Sequence, residues 1–254
     1  MLKIASIISY SSLDDLLIRL CIDNALKVSE QVIVTHCSHL YDGTRENTKT
    51  LKLLKKEYPM VDFVEYRWAK GPHSYFWHNI GRIKGREAVR EELDWIYLLD
   101  ADEIIDTKLM TELLNDDTIE GYDMYHFSAY WYFREPIYRA KTLESASNLL
   151  RKECFFINPN LKKNWQQYKN WEDNKRNLHN VTYNGIPVVH HFSWVRTEKT
   201  MLKKVESWGH HDDRDNWGAL VKKEFSKPFS GKDFVHGYKY ETVKDIFKIG
   251  RVNE

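Results

Sequence analysis

The stretch WIYLLDADEII, Trp95 to Ile105, decides how this chain is read. Trp95 to Leu99 is apolar without a break, the pattern of a short strand buried on both faces of a sheet. It ends in Asp100-Ala101-Asp102, two carboxylates separated by one small residue. Such a strand delivers hard oxygen ligands to the carboxyl edge of a sheet, a place for Mg²⁺ or Mn²⁺, ions that hold phosphates. A plainer reading of the same residues is a strand followed by a helix, with Asp102 or Asp106 capping Thr107–Leu114. The tripeptide does not choose between the two, because short motifs recur by chance.

Working outward, the residues before it alternate strand and helix. Lys3–Ser9 (KIASIIS) reads as a first strand, and Leu13, Leu16, Leu17, Leu20 and Cys21 come next at helical spacing behind Ser12 as a candidate cap. Gln31–His36 is a second strand, Asn47 to Tyr58 a Lys-rich amphipathic helix, and Val61–Trp68 a third strand. Asn79 to Leu93 is the helix that leads into Trp95. Strand–helix repetition with crossovers of this length predicts an α/β fold with a mostly parallel sheet and helices on its faces. Ligands on such sheets lie at the carboxyl ends of the strands. The loops after Ser9, His36 and Leu99 are therefore expected to meet in one crevice.

Composition limits the partners. With 254 residues and 42% hydrophobic content, the chain can bury a sizeable core as one large domain or two fused halves. Its 38 Lys and Arg against 37 Asp and Glu leave no overall field for nucleic acid or an anionic membrane. No run approaches a transmembrane span, and Met1-Leu2-Lys3 leads straight into a strand rather than a signal peptide. The three cysteines are scattered and read as thiols of a reducing compartment. A cytoplasmic protein is expected, with a peripheral membrane contact left open; oligomeric state is not legible.

The order of these elements resembles the nucleotide-binding half of the GT-A glycosyltransferases, family 2 in particular. The residues that carry the resemblance are Ser9-Tyr-Ser-Ser12, Asp42-Gly43-Thr44, Asn79-Ile-Gly81 with Arg86, and Asp100-Ala-Asp102. It covers residues 3–105 well and the remainder loosely. A departure lies at Thr35-His36-Cys37-Ser38, where family members carry acidic residues. The resemblance implies one GT-A domain over 1–254, with a nucleotide-sugar half (about 1–105), an acceptor half (about 106–225) and a C-terminal tail (about 226–254). It implies donor contacts from Ser9, Asp42, Asn79, Arg86 and Asp100, and a cation, Mn²⁺ or Mg²⁺, on Asp102.

Past residue 105 the character changes. Gly121–Phe133 (GYDMYHFSAYWYF) is dense in aromatics, and alternation puts Tyr125, Phe127, Ala129, Trp131 and Phe133 on one face, His126, Ser128, Tyr130 and Tyr132 on the other. The resemblance lays this strand under the acceptor. Sugar rings stack on aromatics, so Tyr130, Tyr132, Trp171 and Trp194 are expected acceptor contacts, although one face of the strand is also expected to be core. Glu172-Asp173 sits where family 2 places the carboxylate that takes the acceptor proton, which implies Asp173, with Glu172 second, as the base of an inverting transfer. In Ile186–Arg196 (IPVVHHFSWVR) two histidines end an apolar strand, and alternation sends them to opposite faces. The resemblance assigns His191 to the metal, and Arg196 is a candidate cation for the leaving diphosphate. His210–Asp215 is acidic and His-rich but contiguous, without the face-matching spacing of a metal site, and reads as a polar loop. Val243–Ile249 is amphipathic.

These expectations add up to a metal-dependent glycosyltransferase acting on a nucleotide-sugar donor and a glycan or lipid-linked acceptor. Two alternatives stay open. A sugar nucleotidyltransferase would need a Gly-rich, basic loop after the first strand, which Ser9-Tyr-Ser-Ser-Leu13 is not. A non-catalytic carbohydrate-binding protein would have no use for a phosphate-holding metal.

Overall fold

Ile4–Ser9 (IASIIS) forms β1, buried along nearly its whole length as its unbroken apolar run requires. It lies between β2 (Gln31–Cys37) and β4 (Trp95–Asp100), parallel to both, and β3 (Asp62–Tyr66) adds in parallel outside β2. The computed structural model describes residues 2–70, 73–116, 121–155, 157, 176–208 and 215–252. Within them the chain is α/β, a curled sheet with helices packed against it, and the sheet runs β3-β2-β1-β4-β7-β6-β9-β5. Beyond β4, the long β7 (Glu135–Arg151) is antiparallel to β4 and to β6 (Met124–Phe133). β9 (Val189–Trp194) runs parallel to β6, and β5 (Glu103–Ile105) antiparallel to β9. β8 (Asn177–Val181) pairs with β6 off the main path.

The helices fall close to their expected places, with informative shifts. Ser11, not Ser12, is the cap at the end of β1, and it opens a single 3-10 turn (Ser12–Asp14); the helix α1 proper is Ile18–Ala25. Its Cys21, Ile22 and Ala25 bury against the sheet. α2 spans Lys49–Glu57. α3 spans Ser74–Glu87, starting five residues earlier than periodicity suggests, because His73 Nδ1 accepts the Phe76 N–H and caps it. α4 is Thr107–Leu114, and Asp106 accepts the N–H groups of Lys108 and Leu109. Asp106 is therefore the helix cap, which leaves Asp100 and Asp102 for other work. α5 (Glu198–Ser207) and α6 (Trp217–Phe225) pack together beside β9. Among the described residues no helix is long and apolar enough to cross a membrane.

Two glycines in α3 explain part of the Asn79–Arg86 motif as packing. A Cβ on Gly85 would collide with Ile7 Cγ2, and one on Gly81 would stand 3.1 Å from the Tyr66 ring. Both let the helix lie close on β1 and β3. Asn79, near the middle of the helix, is fully buried.

The C-terminal segment packs back on the domain. β10 (Tyr240–Thr242) pairs antiparallel with β7, and Val243, Phe247 and Ile249 pack onto the main core in irregular backbone.

Candidate functional site

Three parallel strands end together: Ser9 on β1, Cys37 on β2 and Asp100 on β4 all line one cavity of about 1250 Å³. The chain then leaves β4, and β5 pairs with β9 so that Glu103 faces His191 across the ladder. The Asp102 carbonyl accepts the Phe192 N–H at 2.8 Å. This pairing, between residues far apart in sequence, brings Asp102 and His191 to the same wall.

Asp100 is held from one side by α3. His78 Nε2 lies 3.1 Å and Arg82 Nη2 3.3 Å from its Oδ1. Burial works against its charge, but the cations of His78 and Arg82 prevail and keep the carboxyl well below its usual range. Arg82, not the expected Arg86, is the arginine at the cavity. α3 begins at the carboxyl edge and descends along the sheet at ~1.5 Å per residue, which puts Arg86 about 6 Å too far down.

Asp102 is almost completely buried and carries a second cationic group. Its Oδ2 accepts from Lys204 Nζ at 2.8 Å and Arg196 Nη2 at 2.9 Å, while Oδ1 lies 3.4 Å from His191 Nε2. Burial again opposes ionisation, and Lys204, His191 and Arg196 together hold the carboxyl well below its ordinary value. Arg196 has no reach left for a leaving diphosphate. It also pairs with Asp14 and donates to the carbonyls of Leu13, Phe192 and Ser193, and it is 3% exposed. It positions Asp102 from behind. Lys204 lines the cavity; Lys203 turns instead to Asp42.

The two histidines part as strand alternation requires. His191 faces the cavity, while His190 is buried in the core, its Nδ1 2.8 Å from the Tyr132 hydroxyl. Burial disfavours the His191 imidazolium, but Asp102 and Glu103 outweigh that and raise its pKa.

Whether this wall suits a divalent cation can be judged from its donors. Among the described residues no group of three His, Cys, Asp or Glu could hold an ion by itself. Mg²⁺-type ions with nucleotides typically take one or two protein ligands and complete the shell with phosphate and water. Donors at ~2.1 Å on one octahedral ion stand ~3 Å apart. Asp102 Oδ1 and His191 Nε2, at 3.4 Å, are near that spacing. The oxygen and imidazole donors fit such an ion.

Several expected contacts lie elsewhere. Asp42 does not line the cavity; it closes its own turn, accepting from the Thr44 N–H (2.7 Å) and Oγ1 (2.9 Å). Tyr130 and Tyr132 are corrected: both turn away from the cavity, Tyr130 beneath the Arg139 guanidinium and Tyr132 stacked on Phe192, while Trp131 between them faces the other way and lines it, in a stretch where the β6–β7 register shifts. Trp194 lines the cavity but is fully buried, stacked against Phe133. Asn79 does not reach the cavity, and Ser9 does, with its buried Oγ unpaired among the described residues. Trp171, Glu172, Asp173 and residues 210–214 lie outside the described residues.

Sequence reasoning missed Asp14, Glu46, His78, Arg82, Glu103 and Lys204. Only Glu103, directly after the motif, had a local signal. Its Oε2 accepts the Asp100 N–H at 2.9 Å, and burial, then the Asp100 charge, pushes its pKa up to about 7. Glu46 accepts from the Ser12 N–H and hydroxyl, yet burial pushes it up to about 7 as well. A raised acid favours the folded state below its unfolded pKa and loses that advantage as pH rises through its folded value. Glu46→Gln is therefore expected to shrink the fall in unfolding free energy between pH 5 and pH 8, measured by urea titration. An unchanged fall would mean that Glu46 ionises normally.

No protein-family model and no curated protein sequence matches the chain. Similar solved structures include Staphylococcus aureus TarS, residues 1–349, in complex with UDP-GlcNAc, 12% identical over 89% of this chain and 73% of that one, TM-score 0.46. Another is a 4-diphosphocytidyl-2C-methyl-D-erythritol synthase from Anaerococcus prevotii, 8% identical over 74% of this chain and 92% of that one, TM-score 0.45. These are likenesses of chain path and say nothing about chemistry. The strand order itself, with its parallel β3-β2-β1-β4 half, supports the expectation from sequence. The fold is GT-A-like.

Proposed function

We propose that this protein transfers a glycosyl group from a nucleoside-diphosphate sugar to a hydroxyl of a glycan or lipid-linked acceptor, with inversion. The observation that carries the reading is the meeting of Asp100, Asp102, His191, Arg82 and Lys204 in one cavity at the carboxyl edge of the parallel strands. Asp102 and His191 would hold Mn²⁺ or Mg²⁺, which when bound supplies positive charge to the diphosphate as the leaving group departs. Arg196 and Lys204 keep Asp102 ionised and fixed in place. His78 and Arg82 do the same for Asp100. Sheet order places β2 and β3 on one side of Asp100 and β6 and β7 on the other. On the first side Tyr10, Tyr41 and Tyr66 form an aromatic wall suited to a flat base. On the second, His126, Ser147, Asn148 and His179 offer polar partners for acceptor hydroxyls.

The test is a donor screen with Mn²⁺, reading two products. Release of nucleoside diphosphate from UDP- or GDP-sugars supports glycosyl transfer. Release of pyrophosphate from a nucleoside triphosphate and a sugar 1-phosphate would make the protein a nucleotidyltransferase. Neither product, with no nucleotide binding by calorimetry, would leave a carbohydrate-binding protein.

A further inference from the structure

The cavity contains an arrangement with no part yet in this chemistry, and the C-terminal segment builds it. Asp233, 3% exposed, accepts the N–H groups of His236 (2.6 Å), Gly237 (3.2 Å) and Tyr238 (3.0 Å) and the hydroxyl of Tyr240 (3.0 Å). Gly237, at φ 76°, makes the left-handed turn that this requires. β10 comes directly after and fastens the turn to β7, the strand that carries Glu144. A buried aspartate with four hydrogen bonds thus fixes one short turn, and His236 is the residue it presents to the cavity.

The His236 ring stands edge-on to Trp131 at 5.0 Å, and the His191 ring packs on the same indole at 4.8 Å. Glu144 lines the cavity beside them, its Oε1 3.9 Å from His236 Nδ1. That oxygen is buried and accepts no hydrogen bond among the described residues. The Tyr238 hydroxyl bonds the same carboxylate, which leaves Oε1 as the oxygen turned toward His236. No described residue engages His236 Nε2.

We propose that His236 is the general base of the transfer and that Glu144 is its positioning residue; the assignment rests on the glycosyl-transfer reading above. Nε2 takes the proton of the acceptor hydroxyl as that oxygen bonds to the anomeric carbon. The bond from the anomeric carbon to the diphosphate oxygen breaks, and the nucleoside diphosphate leaves with the electron pair. Glu144 stabilises the imidazolium through Nδ1, and the imidazolium afterwards gives up its extra proton to water. The separation of 3.9 Å is long for a hydrogen bond, and catalytic contacts commonly shorten only once substrate is bound.

The experiment measures nucleoside-diphosphate release from the donor found active, with p-nitrophenyl glycosides as acceptors, and donor affinity by calorimetry. His236→Ala is expected to lower kcat by ~10²–10⁴ with donor affinity within about twofold of the parent. Added imidazole should restore part of the rate in His236→Ala but none in His236→Gln, a response that a merely structural role would not produce. Glu144→Gln should lower kcat without imidazole rescue. If His236→Ala does not fold, the kcat of His236→Gln decides. Parent-like kcat in the His236 variants, or a full loss found only in a parallel Asp173→Asn variant, overturns the assignment while leaving glycosyl transfer standing. If the parent protein neither binds nor turns over any donor, the underlying reading falls and this assignment falls with it.

Discussion

Asp102→Asn is expected to lower unfolding free energy by about 3–5 kcal/mol and to remove donor turnover at the same time. Asn matches Asp in shape, so the substitution removes a charge and little else. Asp102 is 4% exposed and is the shared counter-ion of Lys204 and Arg196, at 2.8 and 2.9 Å. Removing its charge strands two cations in a site with little water, and a buried charge that loses its partner is costly. Urea unfolding of the variant reads the first effect. Asp102→Asn/Lys204→Met, which removes one stranded cation, should recover part of the stability without recovering turnover. Parent-like stability in the single variant would show that Asp14 alone suffices as counter-ion to Arg196.

The neighbouring histidines should separate binding from folding. His191→Ala is expected to weaken Mn²⁺-dependent nucleotide binding at least ~10-fold with a small change in stability, since its ring lies on the cavity wall. His190→Ala should do the opposite. Its ring is buried, stacked against Tyr132 and Phe192, and paired with the Tyr132 hydroxyl, so truncation leaves both a void and an unpaired hydroxyl. The expected loss is about 2–4 kcal/mol, with nucleotide affinity nearly unchanged. Calorimetry with Mn²⁺ and nucleoside diphosphate, beside thermal unfolding, checks both. The reverse order of effects would place the ion on the other face of β9.

Much of this was legible along the chain because strand and helix periods are local. The apolar run Trp95–Leu99 could only be a short buried strand, Asp106 could cap the helix after it, and two adjacent strand residues, His190 and His191, must face opposite ways. The partners of Asp100 and Asp102 were not legible. Arg82 replaces Arg86 because His73 starts the helix earlier than its apolar pattern shows, and a helix start sets how far every later residue lies from the sheet edge. Trp131 replaces Tyr130 and Tyr132 where the β6–β7 register shifts, and no composition rule marks where such a shift falls.

The sequence by itself determined the parallel half of the sheet, the edge at which its strands end and the two carboxylates that stand there, since each arises from hydrogen-bonding periods along consecutive residues. Only the tertiary structure decided what those carboxylates are paired with and what faces them. Lys204 and Arg196 reach Asp102, and β5 lays Glu103 against His191, through packing between segments about ninety residues apart or more. His236 enters the cavity through a turn at the far end of the chain. Such meetings depend on how helices and strands close over a shared core, and no periodicity in the chain records them.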